Sequence, residues 1–154
     1  MKHVPFKFLG LVFILNLLYL SSCKKVNTDT LPVSDFYWKL GNTEYSTNTD
    51  TAFFSYSGIK IVATTNSDFS STIKGPSIYL NSYGVGKYSL KIQGSNQLIY
   101  FDNAGEENLS TDGSLEITSN TNNYLTGFFN ATLVNSLGIE NTISGTFTDI
   151  QLRP

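Results

Sequence analysis

The chain has 154 residues, 40% of them hydrophobic and 14% charged, with ten Lys and Arg against twelve Asp and Glu for a formal net charge of −2. A mildly acidic chain with scattered lysines carries no electrostatic footprint for nucleic acid, so no nucleic-acid partner is expected. The only histidine, His3, and the only cysteine, Cys23, both fall in the first 23 residues. Beyond that point Ser-His-Asp and Cys-His catalysis, zinc sites built on His or Cys, and internal disulfides are all excluded, and no cofactor or metal is expected.

The chain opens with Lys2 and Lys7 around a short basic region, followed by the run FLGLVFILNLLYL at 8–20, apolar except for Asn16. Thirteen residues make a helix of about 20 Å, short of a hydrocarbon core of about 30 Å. A basic start, a short apolar run and then the small Ser21 and Ser22 describe a secretory signal peptide at 1–22 rather than a membrane span. The stretch Leu20-Ser21-Ser22-Cys23 resembles the bacterial lipobox. That resemblance implies a diacylglycerol thioether on the Cys23 sulfur, cleavage before Cys23 and acylation of the new amino terminus. Three acyl chains hold a protein on a membrane without spanning it. In lipoproteins of this kind Lys24, standing where a retention signal has Asp, implies the outer membrane, on either its periplasmic or its surface face. The competing reading is an ordinary signal peptide with a chance cysteine.

Removal of residues 1–22 leaves 132 residues with eight basic and twelve acidic side chains, a net charge of −4, and no histidine. Residues 23–34 read as the lipidated cysteine and a polar tether, and 35–154 as one domain large enough for its own core. From Phe36 onward short alternating runs recur: FYWKL, EYSTN, AFFSY, GIKIVATT, PSIYLNS, KYSLKI, QLIYFD and SLEITSN, then the long YLTGFFNATLVN and ENTISGTFTDIQL. A two-residue hairpin is expected at Ser57-Gly58, and a long polar loop at NSDFSSTIKG. No stretch has helical periodicity, and β-branched and aromatic residues dominate the runs. The expectation is an all-β fold, an antiparallel β-sandwich of about nine or ten strands, with a lipocalin-like β-barrel as the alternative.

The last two runs repeat one pattern, Leu125-Thr126-Gly127-Phe128-Phe129 against Ile143-Ser144-Gly145-Thr146-Phe147, and read as the arms of one hairpin around NSLG at 135–138. With Phe129 and Phe147 facing inward, Gly127 and Gly145 share their face and leave room for a bulky neighbour such as Trp38. After Phe147 the apolar phase slips to Ile150 and Leu152, which predicts a β-bulge near Thr148-Asp149.

Trp38-Lys39-Leu40-Gly41-Asn42-Thr43-Glu44-Tyr45 after a lipobox resembles the opening of small Bacteroidetes-type outer-membrane lipoproteins. Gly86-Lys87-Tyr88-Ser89-Leu90 and Ile143-Ser144-Gly145-Thr146-Phe147 match motifs that recur later in such proteins. The resemblance implies a β-sandwich on the cell envelope and supplies no catalytic residues. Asp29-Thr30-Leu31 and Asp50-Thr51-Ala52 also resemble the three-residue O-glycosylation signal that such bacteria use on exported proteins, which makes Thr30 and Thr51 candidate modification sites.

Three residue sets carry candidate chemistry. The acidic loop Asp102–Asn108, with Asp112 behind it, offers hard oxygen ligands but lacks the EF-hand spacing, and reads first as a solvated turn. Its carboxylates, Asp102, Glu106, Glu107 and Asp112, form a glycosidase pair only if two of them face each other across a cleft. The aromatics are the third set. Alternation places Phe36, Trp38, Phe129 and Phe147 in the core and turns Tyr37, Tyr79, Tyr124 and Phe128 to the opposite face, where rings stack on sugars or pair across strands without any ligand. The functional expectation is a non-enzymatic, membrane-anchored binding module for a glycan. The alternatives are a structural accessory of an envelope complex, bound to a partner protein, and then a carboxylate-dependent hydrolase.

Overall fold

The computed structural model describes residues 35–48, 50–55, 58–65 and 74–154, with the backbone alone for 51–54. The signal segment, Cys23, the tether and Thr30 lie outside the described residues. The fold is all-β, with no helix among the described residues. The strands are β1 (Asp35–Leu40), β2 (Thr43–Thr47), β3 (Asp50–Ser55), β4 (Gly58–Ala63), β5 (Gly75–Leu80), β6 (Gly86–Ser89), β7 (Gln97–Phe101), β8 (Glu107–Thr121), β9 (Tyr124–Val134) and β10 (Glu140–Arg153).

All ten strands belong to one sheet. Pairing runs β3–β4–β5–β7–β8–β9–β10, each step antiparallel. A short parallel bridge, Leu152 opposite Ala52 and Arg153 opposite Phe53, then returns β10 to β3. The sheet therefore curls round as a barrel does, and its inner face encloses one core as in a sandwich. The parallel bridge departs from the expected all-antiparallel pairing. It follows from geometry, since the last strand to be placed must meet whichever edge remains open. Two pieces hang outside this circuit: the β1–β2 hairpin, joined through β1 to β10, and β6, joined to β8.

The expected core residues are the observed ones. Phe36, Trp38, Phe129 and Phe147 are fully or almost fully buried, together with Ile59, Ile61, Ile78, Leu98, Leu115, Ile117 and Leu133. Each large apolar side chain removed from water contributes about 1.5–3 kcal/mol, which makes this inner face the main source of stability. Phe36 sits among three rings, 5.9 Å from Trp38 edge-on, 5.8 Å from Phe129 and 6.0 Å from Phe147 in a stacked arrangement.

The two glycines of the repeated pattern are explained by the β9–β10 register. Gly145 is opposite Phe129, and Gly127 is opposite Phe147. A Cβ at Gly145 would lie 2.7 Å from two atoms of the Phe129 ring, and one at Gly127 would lie 2.6 Å from the Phe147 ring. Each phenylalanine thus lies over the glycine of the facing strand. Trp38 was the expected occupant. It is the β1 neighbour of Gly145 in the register, but Phe129 fills the space.

The bulge expected near Thr148-Asp149 is present. The β9–β10 register shifts between Phe147 and Ile150, Asp149 takes φ 52°, and its N–H donates to Thr126 Oγ1 at 3.1 Å. The β3–β4 hairpin is also present, but Gly58 pairs with Ser55 inside the ladder and is not part of the turn. Its lack of a side chain serves a close approach, because a Cβ there would collide with the Leu80 carbonyl oxygen.

Two strand limits differ from expectation. KYSLKI stops being strand at Ser89, since Leu90 drops into the core and the chain turns at Lys91–Gly94, closed by Gly94 N–H to Lys91 O at 2.8 Å. In the other direction, β8 starts seven residues before SLEITSN, at Glu107. Its first half turns Asn108 and Ser110 inward. The Ser110 Oγ is fully buried and accepts the Leu98 N–H at 2.9 Å.

Candidate functional site

The long strands β8, β9 and β10, flanked by β1 and β6, present one broad outward face. Registers across it give a row running Tyr37, Thr146, Phe128, Glu116, Lys87, with each residue directly opposite the next. Two residues along the strands lies a second row, Lys39, Ser144, Asn130, Ser114. Strands are spaced about 4.8 Å apart and same-face rows about 7 Å, so Tyr37 and Phe128 stand about 10 Å apart with Thr146 between them.

Phe128 is 42% exposed, with Thr146 of β10 on one side of it and Glu116 of β8 on the other. Tyr37 is half-buried, and its phenol pKa is held above the ordinary 10.0 by desolvation and by the Glu44 carboxylate beside it. Glu44 also faces Lys39, Nζ to Oε1 3.8 Å. Next to this aromatic row is a shallow depression of about 240 Å³, bordered by Lys39, Asp112, Asn130, Thr132, Thr142 and Ser144. One cation and one acid sit at its borders, and Asp112 itself is paired with Lys91 at 3.6 Å. The rest of the lining mixes three hydroxyls and one carboxamide, groups that both donate and accept hydrogen bonds, with Gly41, Gly113, Ala131 and Ile143.

The four outward aromatics do not form one platform. Tyr37 and Phe128 share a row. Tyr124 points to the same side as Phe128 because β9 alternates without interruption, but it stands four residues, about 13 Å, along the strand. Tyr79 is on β5 in the other half of the circuit, and the Lys60 Nζ sits 5.0 Å from its ring centroid. The Tyr79 ring already has a cation over it, so it takes no part in the β9–β10 face.

The acidic loop resolves as a turn. Asp102 Oδ1 accepts the Ala104 N–H at 2.8 Å and the Glu106 N–H at 2.9 Å, and Gly105 takes φ 81°. Glu106, Glu107 and Asp112 are exposed. Among the described residues no three His, Cys, Asp or Glu side chains converge on one point. Thr51 lies in the backbone ladder of β3, opposite Val62, and the Asp50 that precedes it is buried.

Sequence reasoning singled out Tyr37 and Phe128 but passed over Lys39, Thr132, Thr142, Ser144 and Thr146 as site residues. Their signal was present as phase, since each alternates with a core residue on its strand. What the alternation cannot show is which strands lie side by side. Comparison with protein-family models, with curated proteins and with solved structures gives no match, so the reading of this face rests on its own geometry.

Proposed function

We propose that the chain is a lipoprotein held at the cell envelope through Cys23, in the outer membrane, and that its domain is a non-enzymatic binding module for a glycan. The observation that carries the ligand reading is the exposed Phe128 ring, on one row with Tyr37 and beside a depression whose polar lining includes Asn130, Thr132, Thr142 and Ser144. A sugar offers an apolar C–H face to a ring and a rim of hydroxyls to Ser, Thr and Asn, and this surface provides both kinds of partner at adjacent positions. The near-neutral border favours an uncharged glycan. The exposed acids and the self-contained Asp102 turn give a hydrolase less support.

The test is thermal unfolding and titration calorimetry of the chain in detergent against a panel of soluble neutral and acidic glycans. A bound glycan at a hundred times its dissociation constant stabilises the fold by about 2.7 kcal/mol. The expected result is a rise for at least one neutral glycan that is lost in Phe128→Ala and in Tyr37→Ala and kept in Tyr79→Ala. A flat response across the panel, or an equal loss in all three variants, overturns the site. The anchor is tested separately: Cys23→Ser should move the chain out of the membrane fraction. The alternative reading, an accessory bound to a protein partner in the envelope, has one observation of its own, the open edge of β2.

A further inference from the structure

β2 ends the sheet path, and nothing among the described residues pairs with its outer edge. Its backbone orientation follows from the hairpin. Leu40 and Thr43 close a two-residue turn at Gly41-Asn42 and are a hydrogen-bonded pair, as are Trp38 with Tyr45 and Phe36 with Thr47. The Gly41 N–H, which donates to Thr142 O at 2.9 Å on the β10 side, fits this alternation. Glu44 and Ser46 therefore direct their N–H and C=O groups away from β1, and both residues are exposed.

The strand reads Thr43-Glu44-Tyr45-Ser46-Thr47, a pattern that is symmetric about Tyr45 in its threonines and in the spacing of its free backbone groups. It carries no proline, lysine or bulge, and its one charged side chain is Glu44. We propose that β2 is the pairing edge for a second copy of this chain, joined antiparallel about a two-fold axis through Tyr45.

In that register Glu44 stands opposite Ser46 of the second copy, and the two exchange both backbone hydrogen bonds. The symmetry repeats the exchange, for four bonds in all. Thr43 meets Thr47 of the second copy, a favourable cross-strand pair, and the two Tyr45 rings meet on the inner face. Each Tyr45 is already stacked on its own Trp38, with centroids 5.3 Å apart, so the pairing extends an existing aromatic ladder. The one charge on the edge, Glu44, is matched by Lys39 within its own chain, so the edges meet without an unpaired carboxylate. The proposal does not depend on the glycan reading, because it uses the backbone edge and not the outward face.

The test is sedimentation of the full chain in detergent over a wide concentration range. The expected result is a monomer–dimer equilibrium that Ser46→Ala keeps and Ser46→Pro abolishes. Proline removes the Ser46 N–H, which faces away from β1, so the hairpin itself keeps its ladder and the unfolding temperature of the monomer, read at low concentration, stays unchanged. As a readout on the unaltered chain, hydrogen exchange at the Glu44 and Ser46 amides should slow as concentration rises. A monomer at every concentration, a dimer that survives Ser46→Pro, or exchange at these two amides that is fast and independent of concentration overturns the proposal.

Discussion

The reciprocal glycine–phenylalanine pairs of β9 and β10 make a quantitative prediction at Gly145. An alanine there would put its Cβ 2.7 Å from Cε1 and Cζ of Phe129 and 2.4 Å from the Tyr37 carbonyl oxygen, well inside the 3.4 Å at which ordinary contact begins. The ring can tilt away, but the carbonyl is fixed in the β1–β10 ladder. Overpacking of this kind costs about 1–3 kcal/mol. The stiffer unfolded chain returns about 0.4–1 kcal/mol. The net destabilisation is about 1–2 kcal/mol, and a domain of this size loses roughly 3–6 °C per kcal/mol. Phe129→Ala alone opens a cavity and costs about 3–5 kcal/mol. In the double variant the new methyl no longer meets the ring and partly fills its void, although the Tyr37 carbonyl clash remains. Chemical denaturation of the four proteins should then show a coupling of about 1 kcal/mol in the direction that lessens the damage. An unchanged or raised stability in Gly145→Ala would refute the packing argument, and so would two single effects that add to within about 0.5 kcal/mol.

Two further expectations test the interior. Tyr100 is almost fully buried, and its pKa is pushed up to about 12 by desolvation first and then by the Tyr45 phenol, with Asp102 adding least; the Trp38 indole N–H pulls the other way without making a hydrogen bond of ordinary geometry. The unfolded chain gives up this proton near the ordinary 10.0, so the contribution is complete below that pH and is lost on rising toward 12, by roughly 3 kcal/mol. Tyr37 is raised too and adds in the same direction. Urea unfolding across this window should show Tyr100→Phe losing most of the slope, and an equal slope in both proteins would contradict the assignment. Ser110→Ala removes the acceptor of the buried Leu98 N–H and should cost about 1–3 kcal/mol in the same assay; a neutral result would mean that the amide finds another partner.

How much of this was legible in the sequence depended on whether a feature was local in the chain. β9 was the clearest element, because Leu125, Phe129, Ala131 and Leu133 alternate without a break with outward residues, and its hairpin to β10 needed only the turn at 135–138. The first half of β8 was hidden, because its inward positions carry Asn108 and Ser110, whose burial depends on partners in β7 that hydropathy does not reveal. The Gly127 and Gly145 phase was visible, but their occupants were not, since the rings above them are set by the β9–β10 register and not by size alone. Among the outward aromatics the division was likewise a matter of pairing: Tyr79 and Phe128 look alike in alternation, and only the strand beside each puts Lys60 over one and Thr146 beside the other.

The bulge at Asp149 shows how one local irregularity bears on the curling of the sheet. Up to Thr148 the outer edge of β10 is paired with β1; from Leu152 the same edge is paired with β3. The change of partner falls just past the register shift between Phe147 and Ile150, where Thr126 Oγ1 holds the Asp149 N–H and φ turns positive. A bulge bends its strand and strengthens the local twist, so this is the place where β10 can swing from one neighbour to the next. Without the bend β10 would keep β1 as its neighbour along its whole edge, and β3 would find no strand to meet. With it, β1 and β2 are displaced from the circuit as a hairpin whose inner face, Phe36 and Trp38, remains in the core while its outer face carries Tyr37 and Lys39. The slip of apolar phase from Phe147 to Ile150 is therefore the trace in sequence of sheet closure. The row of Tyr37, Thr146 and Phe128 lies in the regular register just before the slip.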